Sequence, residues 1–211
     1  MGFLGPNGAG KTTTIRLLLD FLRPDRGHAR ILGMDPRRDK ATLHRQIGYL
    51  PGELAFPGRE TAADLLRFFA DARGDVPWTA VTSLAERLDL DLSRPVRAMS
   101  KGNKQKVGLV QAFMHQPALL ILDEPTSGLD PLMQQEFLAM VREARDAGQT
   151  VFMSSHVLAE VQSAADRVAI VRNGQLAAVE KVESLGRRAV RSVEIHFGDP
   201  VHASSSPAYR A

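Results

Sequence analysis

The chain has 211 residues, 44% hydrophobic and 24% charged, with a formal net charge of +3, the make-up of one globular domain able to bury a sizeable core. Cysteine is absent, which excludes disulfides and thiolate metal sites, and no apolar run approaches the about 18 residues that a membrane-spanning helix needs. The arginine pairs Arg37-Arg38 and Arg187-Arg188, with Arg191 close by, suit solvated surface or contact with anionic lipid and membrane partners; no nucleic-acid partner is expected.

Met1 runs almost directly into the first motif, so no signal peptide is expected. Gly5-Pro6-Asn7-Gly8-Ala9-Gly10-Lys11-Thr12 fits G-x-x-x-x-G-K-[ST], a phosphate-binding loop. Gly5, Gly8 and Gly10 let the backbone curl until successive N–H groups point inward at phosphate oxygens. Lys11 reaches the outer phosphates, and the Thr12 hydroxyl is a ligand for the Mg²⁺ that nucleotides carry. Apolar Phe3-Leu4 precedes the loop. A helix is predicted after it from Ile15, Leu17, Leu18, Leu19, Phe21 and Leu22, its positive end facing the phosphates. This pattern reads as a nucleoside triphosphate site.

Arg23-Pro24-Asp25-Arg26-Gly27 is a turn cluster that ends this helix. Ala29 to Leu32 reads as a short strand closed by Gly33, and Ile47 to Leu50 as a second apolar run stopped by Pro51-Gly52. From Thr61 to Leu92, Leu65, Leu66, Phe68 and Phe69, then Val81, Leu84, Ala85 and Leu88, recur at helical spacing and predict a small helical insert. Lys104 to His115 reads as a helix ended by Pro117, and Ala118 to Leu122 as a strand covered on both faces. Phe137, Met140, Val141 and Ala144 mark a helix with one buried stripe, and Thr150 to Met153 another strand. Arg167 to Val171 and Leu176 to Val179 flank Asn173-Gly174, a hairpin signal. Ser192 to Phe197 predicts one more strand, and Ala203 to Pro207 a disordered end. Alternating buried strands and amphipathic helices give an α/β fold with a mainly parallel sheet.

Asp123-Glu124 terminates the most apolar strand, which places two carboxylates at the C-terminal edge of the sheet, where open α/β folds bind ligands. Asp123 is the natural Mg²⁺ partner, and Glu124 is placed to polarise the water that attacks a γ-phosphate.

Together these residues resemble the ATP-binding subunits of ABC transporters, in motif order from residue 2 to about residue 180. Glu124-Pro125-Thr126-Ser127-Gly128-Leu129-Asp130 is similar to the family's passage from the acidic pair into its D-loop. Thr150-Val151-Phe152-Met153-Ser154-Ser155-His156 matches the strand leading to its switch histidine, and Met99-Ser100-Lys101-Gly102-Asn103 stands where its L-S-G-G-Q signature lies. The resemblance implies a P-loop NTPase fold over 1–180, with a helical subdomain inserted at about 53–99 and an extension, partly disordered, over 181–211. It implies ATP and Mg²⁺ as cofactors, ATP hydrolysis, and binding by Gly5 to Thr12, Thr13, Ser100, Gly102 and Asp130. Lys11, Glu124 and His156 take the catalytic roles, and Thr12 and Asp123 hold the metal. The implied partners are a second cassette, in a homo- or heterodimer that packs head to tail, and an integral-membrane permease. The implied location is the cytoplasmic face of the cell membrane.

The wording around Gly48 to Glu53 and Ser100 to Val107 resembles bacterial exporter cassettes of the multidrug or antibiotic-resistance type. A non-transport ABC ATPase, or a truncated cassette that binds nucleotide with little hydrolysis, are the alternatives. Three departures from the family pattern stand out. Lys101 and Asn103 replace a glycine and a glutamine of the signature. Gly52 stands where the family has a glutamine that contacts Mg²⁺, leaving Glu53 to substitute or the link to weaken. Only Met1 to Leu4 precede the loop, too little for an ordinary strand of about five or six residues, so a fragment or a misassigned start is expected, without the aromatic residue that stacks on adenine.

Overall fold

The computed structural model describes residues 1–55, 58–74 and 76–184. Strands β1 (Gly2–Leu4), β2 (Ile47–Leu50), β3 (Leu119–Asp123), β4 (Thr150–Ser155), β5 (Arg167–Arg172) and β6 (Gln175–Lys181) form one sheet in the order β2-β3-β4-β1-β5-β6. All neighbours pair in parallel except β5 and β6, which form the hairpin read from Asn173-Gly174; both turn residues have positive φ, +51° and +72°. The helices are α1 (Lys11–Leu18), α2 (Lys40–Arg45), α3 (Ala62–Ala72), α4 (Trp78–Arg87), α5 (Lys101–Phe113), α6 (Pro131–Asp146) and α7 (Leu158–Ala164). The α/β class with a mainly parallel sheet holds, with α3 and α4 as the helical insert.

Sheet position explains which strands are legible. Every residue of β3 is buried, as a central parallel strand requires. β1 is a strand despite its three residues: Gly2, Phe3 and Leu4 pair with Met153, Ser154 and Ser155 on one side and with Val168, Ala169 and Ile170 on the other. Two flanking ladders supply the pairing that length alone does not, so the expectation of too short a strand is corrected. The strand expected at Ala29–Leu32 is also corrected: that stretch is a tight turn holding a single bridge between Ile31 and Met34. The first helix stops at Leu18, and Phe21 and Leu22 lie exposed beyond it. Ser192–Phe197 and Ala203–Pro207 lie outside the described residues.

α5 begins at Lys101 rather than Lys104 because the Ser100 hydroxyl accepts from the Asn103 N–H and caps it. α3 starts with a capping box in which Thr61 and Asp64 satisfy each other's backbone N–H. One apolar core runs from the helical insert to the sheet, joining Leu66, Val81, Val107 and Val110 to Leu120 and Phe137. Arg73, at the end of α3, staples the insert to the sheet. Its guanidinium donates to His44 O (2.8 Å) and Ile47 O (2.6 Å) and contacts His115 Nε2 at 2.9 Å. Burial, and then the Arg73 charge, hold the His115 imidazole down at a pKa of about 4, so it stays neutral in this contact.

β2 approaches α5 so closely at Gly48 that a Cβ there collides with the Ala112 carbonyl. Gly48→Ala is therefore expected to destabilise the fold by about 1–3 kcal/mol. Urea denaturation checks it; an unchanged midpoint means that the two elements separate freely.

Candidate functional site

The phosphate-binding loop leaves the C-terminal end of β1, in the middle of the sheet. Gly8 and Gly10 take φ of +77° and +104°, left-handed conformations that bend the backbone into a cup. Behind the cup, buried Ala9 anchors the loop, and its carbonyl accepts from the Gly174 N–H of the β5–β6 turn (3.0 Å). No side chain caps α1 and no acidic residue lies in its first turn, so its N-terminus suits an anion. Asn7 and Thr13 are exposed.

Lys11 links the loop to the acidic pair. Its buried ammonium donates to Gly5 O (2.7 Å) and Pro6 O (3.3 Å) and stands 3.1 Å from Glu124 Oε1. That Glu124 oxygen is buried and makes no hydrogen bond, so the contact with Lys11 is an ion pair off hydrogen-bond geometry. One residue on, the Thr12 hydroxyl donates to Asp123 Oδ2 (2.7 Å). Asp123 is fully buried, and Ser154 Oγ donates to its other oxygen at 2.5 Å.

Glu124 sits at φ +49°, a left-handed conformation that costs a non-glycine residue about 1–3 kcal/mol unless its surroundings impose it. The bend turns the carboxylate toward His156, whose Nδ1 lies 2.8 Å from Glu124 Oε2. A carboxylate only accepts, so the proton of this contact belongs to Nδ1, and Nε2 remains for another partner. His156 is half exposed, at the rim.

The structure thus brings Lys11, Thr12, Asp123, Glu124 and His156 together. Ser100, Gly102 and Asp130 lie elsewhere. Ser100 caps α5, and Asp130 caps α6 by accepting from the Met133 N–H (3.0 Å). Gly102 packs against the Gly128 carbonyl. At the departure from the family's glutamine, a Cβ on Gly52 stands 3.2 Å from Asp123 Oδ2, so backbone faces the aspartate. Glu53 instead lines a cavity of about 400 Å³ with Leu54, Phe69, Arg73 and Gln111.

Sequence reasoning missed three supports. Ser154 Oγ, besides donating to Asp123, accepts from the Glu124 N–H (3.1 Å). The Glu160 carboxylate accepts from Thr126 Oγ1 (2.7 Å) and Ser155 Oγ (2.5 Å), tying the turn after Glu124 to the loop that carries His156. Gln105, buried on α5, donates to Glu124 O and Pro125 O. The available signal was a polar residue on an otherwise buried face.

Metal fit follows from the donors. Thr12 and Asp123 present hard oxygens side by side, and no group of three or more His, Cys, Asp or Glu suited to a metal occurs among the described residues. Two protein oxygens, completed by phosphates and water, are what Mg²⁺ uses and what a closed structural metal site does not.

Comparison with known proteins identifies the family. Residues 1–127 match the ABC transporter family. The bacitracin transport ATP-binding protein BcrA of Bacillus licheniformis is 36% identical over 94% of this chain and 66% of its own length. The ABC transporter ATP-binding protein NatA of Bacillus subtilis is 32% identical over 93% of this chain and 82% of its own. The probable multidrug ABC transporter ATP-binding protein YbhF of Escherichia coli is 35% identical over 84% of this chain and 31% of its own. A solved ATP-binding subunit of an ABC transporter superposes with a TM-score of 0.81 at 33% identity, covering 89% of this chain and 80% of that one. The chain spans just under two thirds of the length of the BcrA proteins it matches. On the order of its motifs, the meeting of the phosphate loop, the acidic pair and His156 at one sheet edge, and these similarities, the chain belongs to the ABC transporter family, among its ATP-binding subunits.

Proposed function

We propose that this chain binds ATP and hydrolyses it to energise an ABC transporter, an exporter of drugs or other small molecules. The observation that carries the reading is the convergence of Lys11 and Thr12 on Asp123 and Glu124, with His156 on the free side of Glu124. The export assignment draws support from relatives named for bacitracin transport and probable multidrug transport.

In this mechanism the cup from Gly5 to Thr13 surrounds the phosphates with backbone N–H groups. Phosphate oxygens compete with Gly5 O, Pro6 O and Glu124 Oε1 for the Lys11 ammonium, which frees Glu124 Oε1 to accept from water. Glu124 then takes a proton as the water oxygen bonds to the γ-phosphorus. The bond from that phosphorus to the β,γ-bridging oxygen breaks, leaving ADP and inorganic phosphate. His156 keeps Glu124 aimed through Nδ1–H; to reach the γ-phosphate, whose oxygens accept, its Nε2 must carry a proton as well. Mg²⁺ held by Thr12 and Asp123 would offset phosphate charge.

Ser100, Gly102 and Asp130 belong, on this reading, to the face that meets a second cassette, homo- or heterodimeric. The nucleotide-binding unit spans 1–180 with the helical subdomain at about 53–99, followed by the 181–211 extension. Its proposed location is the cytoplasmic face of the membrane beside a permease, as the resemblance to ATP-binding subunits implies; no helix among the described residues is long and apolar enough to cross a membrane.

Phosphate release from ATP tests the proposal. Release is expected with Mg²⁺ and is expected to fall at least about 10-fold in excess chelator or in Asp123→Asn, as when a positioned catalytic group is lost. Absence of ATP binding at millimolar nucleotide overturns it.

A further inference from the structure

We infer that α5 is a positioning clamp for the Glu124 carboxylate, acting through Gln105 and Lys101. The inference rests on the proposed role of Glu124 as the group that accepts the water's proton.

Lys101 and Gln105 are four residues apart, so they share one face of α5. From that face the Gln105 amide donates to Glu124 O (3.3 Å) and Pro125 O (3.0 Å). One helical turn away, the Lys101 ammonium donates to Ser127 Oγ (2.7 Å). Its aliphatic stem lies over Gly128, where a Cβ stands 3.2 Å from Lys101 Cγ. Between the two pins, the Ser127 N–H donates to Glu124 O (3.1 Å) and closes the turn. One helix therefore holds both ends of the Glu124–Ser127 turn, while Glu160 holds its middle through Thr126.

Glu124 needs such support because its φ of +49° is a conformation that a non-glycine residue does not keep unaided. Gln105 is buried, and its side-chain amide gives its donor to these two carbonyls. With its donor gone, two carbonyls lose a partner and the turn relaxes toward right-handed backbone. That rotation swings the carboxylate away from His156 Nδ1 and Lys11. Lys101 stands where the related signature carries glycine, so the second pin is a feature of this chain.

Gln105→Leu keeps the bulk and removes the donor, and Lys101→Met does the same at an exposed position. Turnover number is expected to fall about 10-fold in the first and about 3-fold in the second, since small misplacement of a catalytic group is costly. KM for ATP is expected to stay within about 2-fold, because the bonds removed go to Glu124, Pro125 and Ser127 and not to the phosphate loop. In a Glu124→Gln background, neither change lowers the residual turnover further. Unchanged kcat in both variants, a loss that comes through KM, or a further fall in the Glu124→Gln background overturns the clamp. If Gln105→Leu does not fold, Lys101→Met decides by the same criteria. Retained turnover in Glu124→Gln alone removes the role of Glu124 and the clamp with it; lost turnover there, beside unaffected clamp variants, removes only the clamp.

Discussion

Glu124→Gln is expected to keep ATP bound and to slow its hydrolysis by about 10²-fold or more, the usual worth of a positioned general base. The substitution is close to isosteric. The amide oxygen can still accept from His156 Nδ1–H, and the backbone bonds of residue 124 to Ser154, Gln105 and Ser127 do not involve its side chain. Folding is therefore little affected, while the group that accepts the water's proton is gone. Affinity for ATP is expected to hold or rise, because a negative charge beside the γ-phosphate and a competitor for Lys11 are both removed. Single-turnover phosphate release and fluorescent-nucleotide titration on one preparation separate the two effects. Turnover within about threefold of the parent chain takes Glu124 out of its assigned role.

Chemistry with a narrow choice of residues was legible from the sequence. A cup that admits phosphate needs glycines at left-handed positions, and Gly8 and Gly10 have that backbone. An apolar strand ending in two acids must run inside the sheet, and β3 does. Short elements were not legible. α2 buries only Leu43 and α7 only Val161 and Ala164, too little periodicity to read, and β1 is a strand because β4 and β5 flank it. The supports of the site were hidden for a different reason. Ser154 matters because β4 lies beside β3, so that its hydroxyl falls between Asp123 and the Glu124 N–H; nothing in the run from Thr150 to Ser155 announces that neighbour. Nothing in the sequence around Arg73 announces the carbonyls of His44 and Ile47 that the fold sets around it. Such roles depend on contacts between distant segments, Ser154 with Asp123 31 positions away and Arg73 with Ile47 26 away.

Lys11→Met separates nucleotide binding from the geometry of the loop. Methionine keeps an unbranched side chain for the buried channel and removes three donors and the charge. A hydrogen bond from a charged donor contributes about 1.5–3 kcal/mol, so losing the one or two that Lys11 gives to phosphate is expected to weaken ATP binding at least about 10-fold. The consequence for the apo fold runs the same way. Gly5 O and Pro6 O lose their donor and Glu124 Oε1 loses the ammonium 3.1 Å away, so melting is also expected to fall. The two losses are distinguishable because Glu124→Gln in the same chain removes the uncompensated charge. The double variant Lys11→Met, Glu124→Gln is expected to recover most of the melting temperature and none of the ATP affinity. Recovery of affinity along with stability makes Lys11 a staple of the loop and moves phosphate recognition onto the backbone N–H groups alone; recovery of stability without affinity leaves the ammonium as the group that holds the triphosphate against the acidic strand.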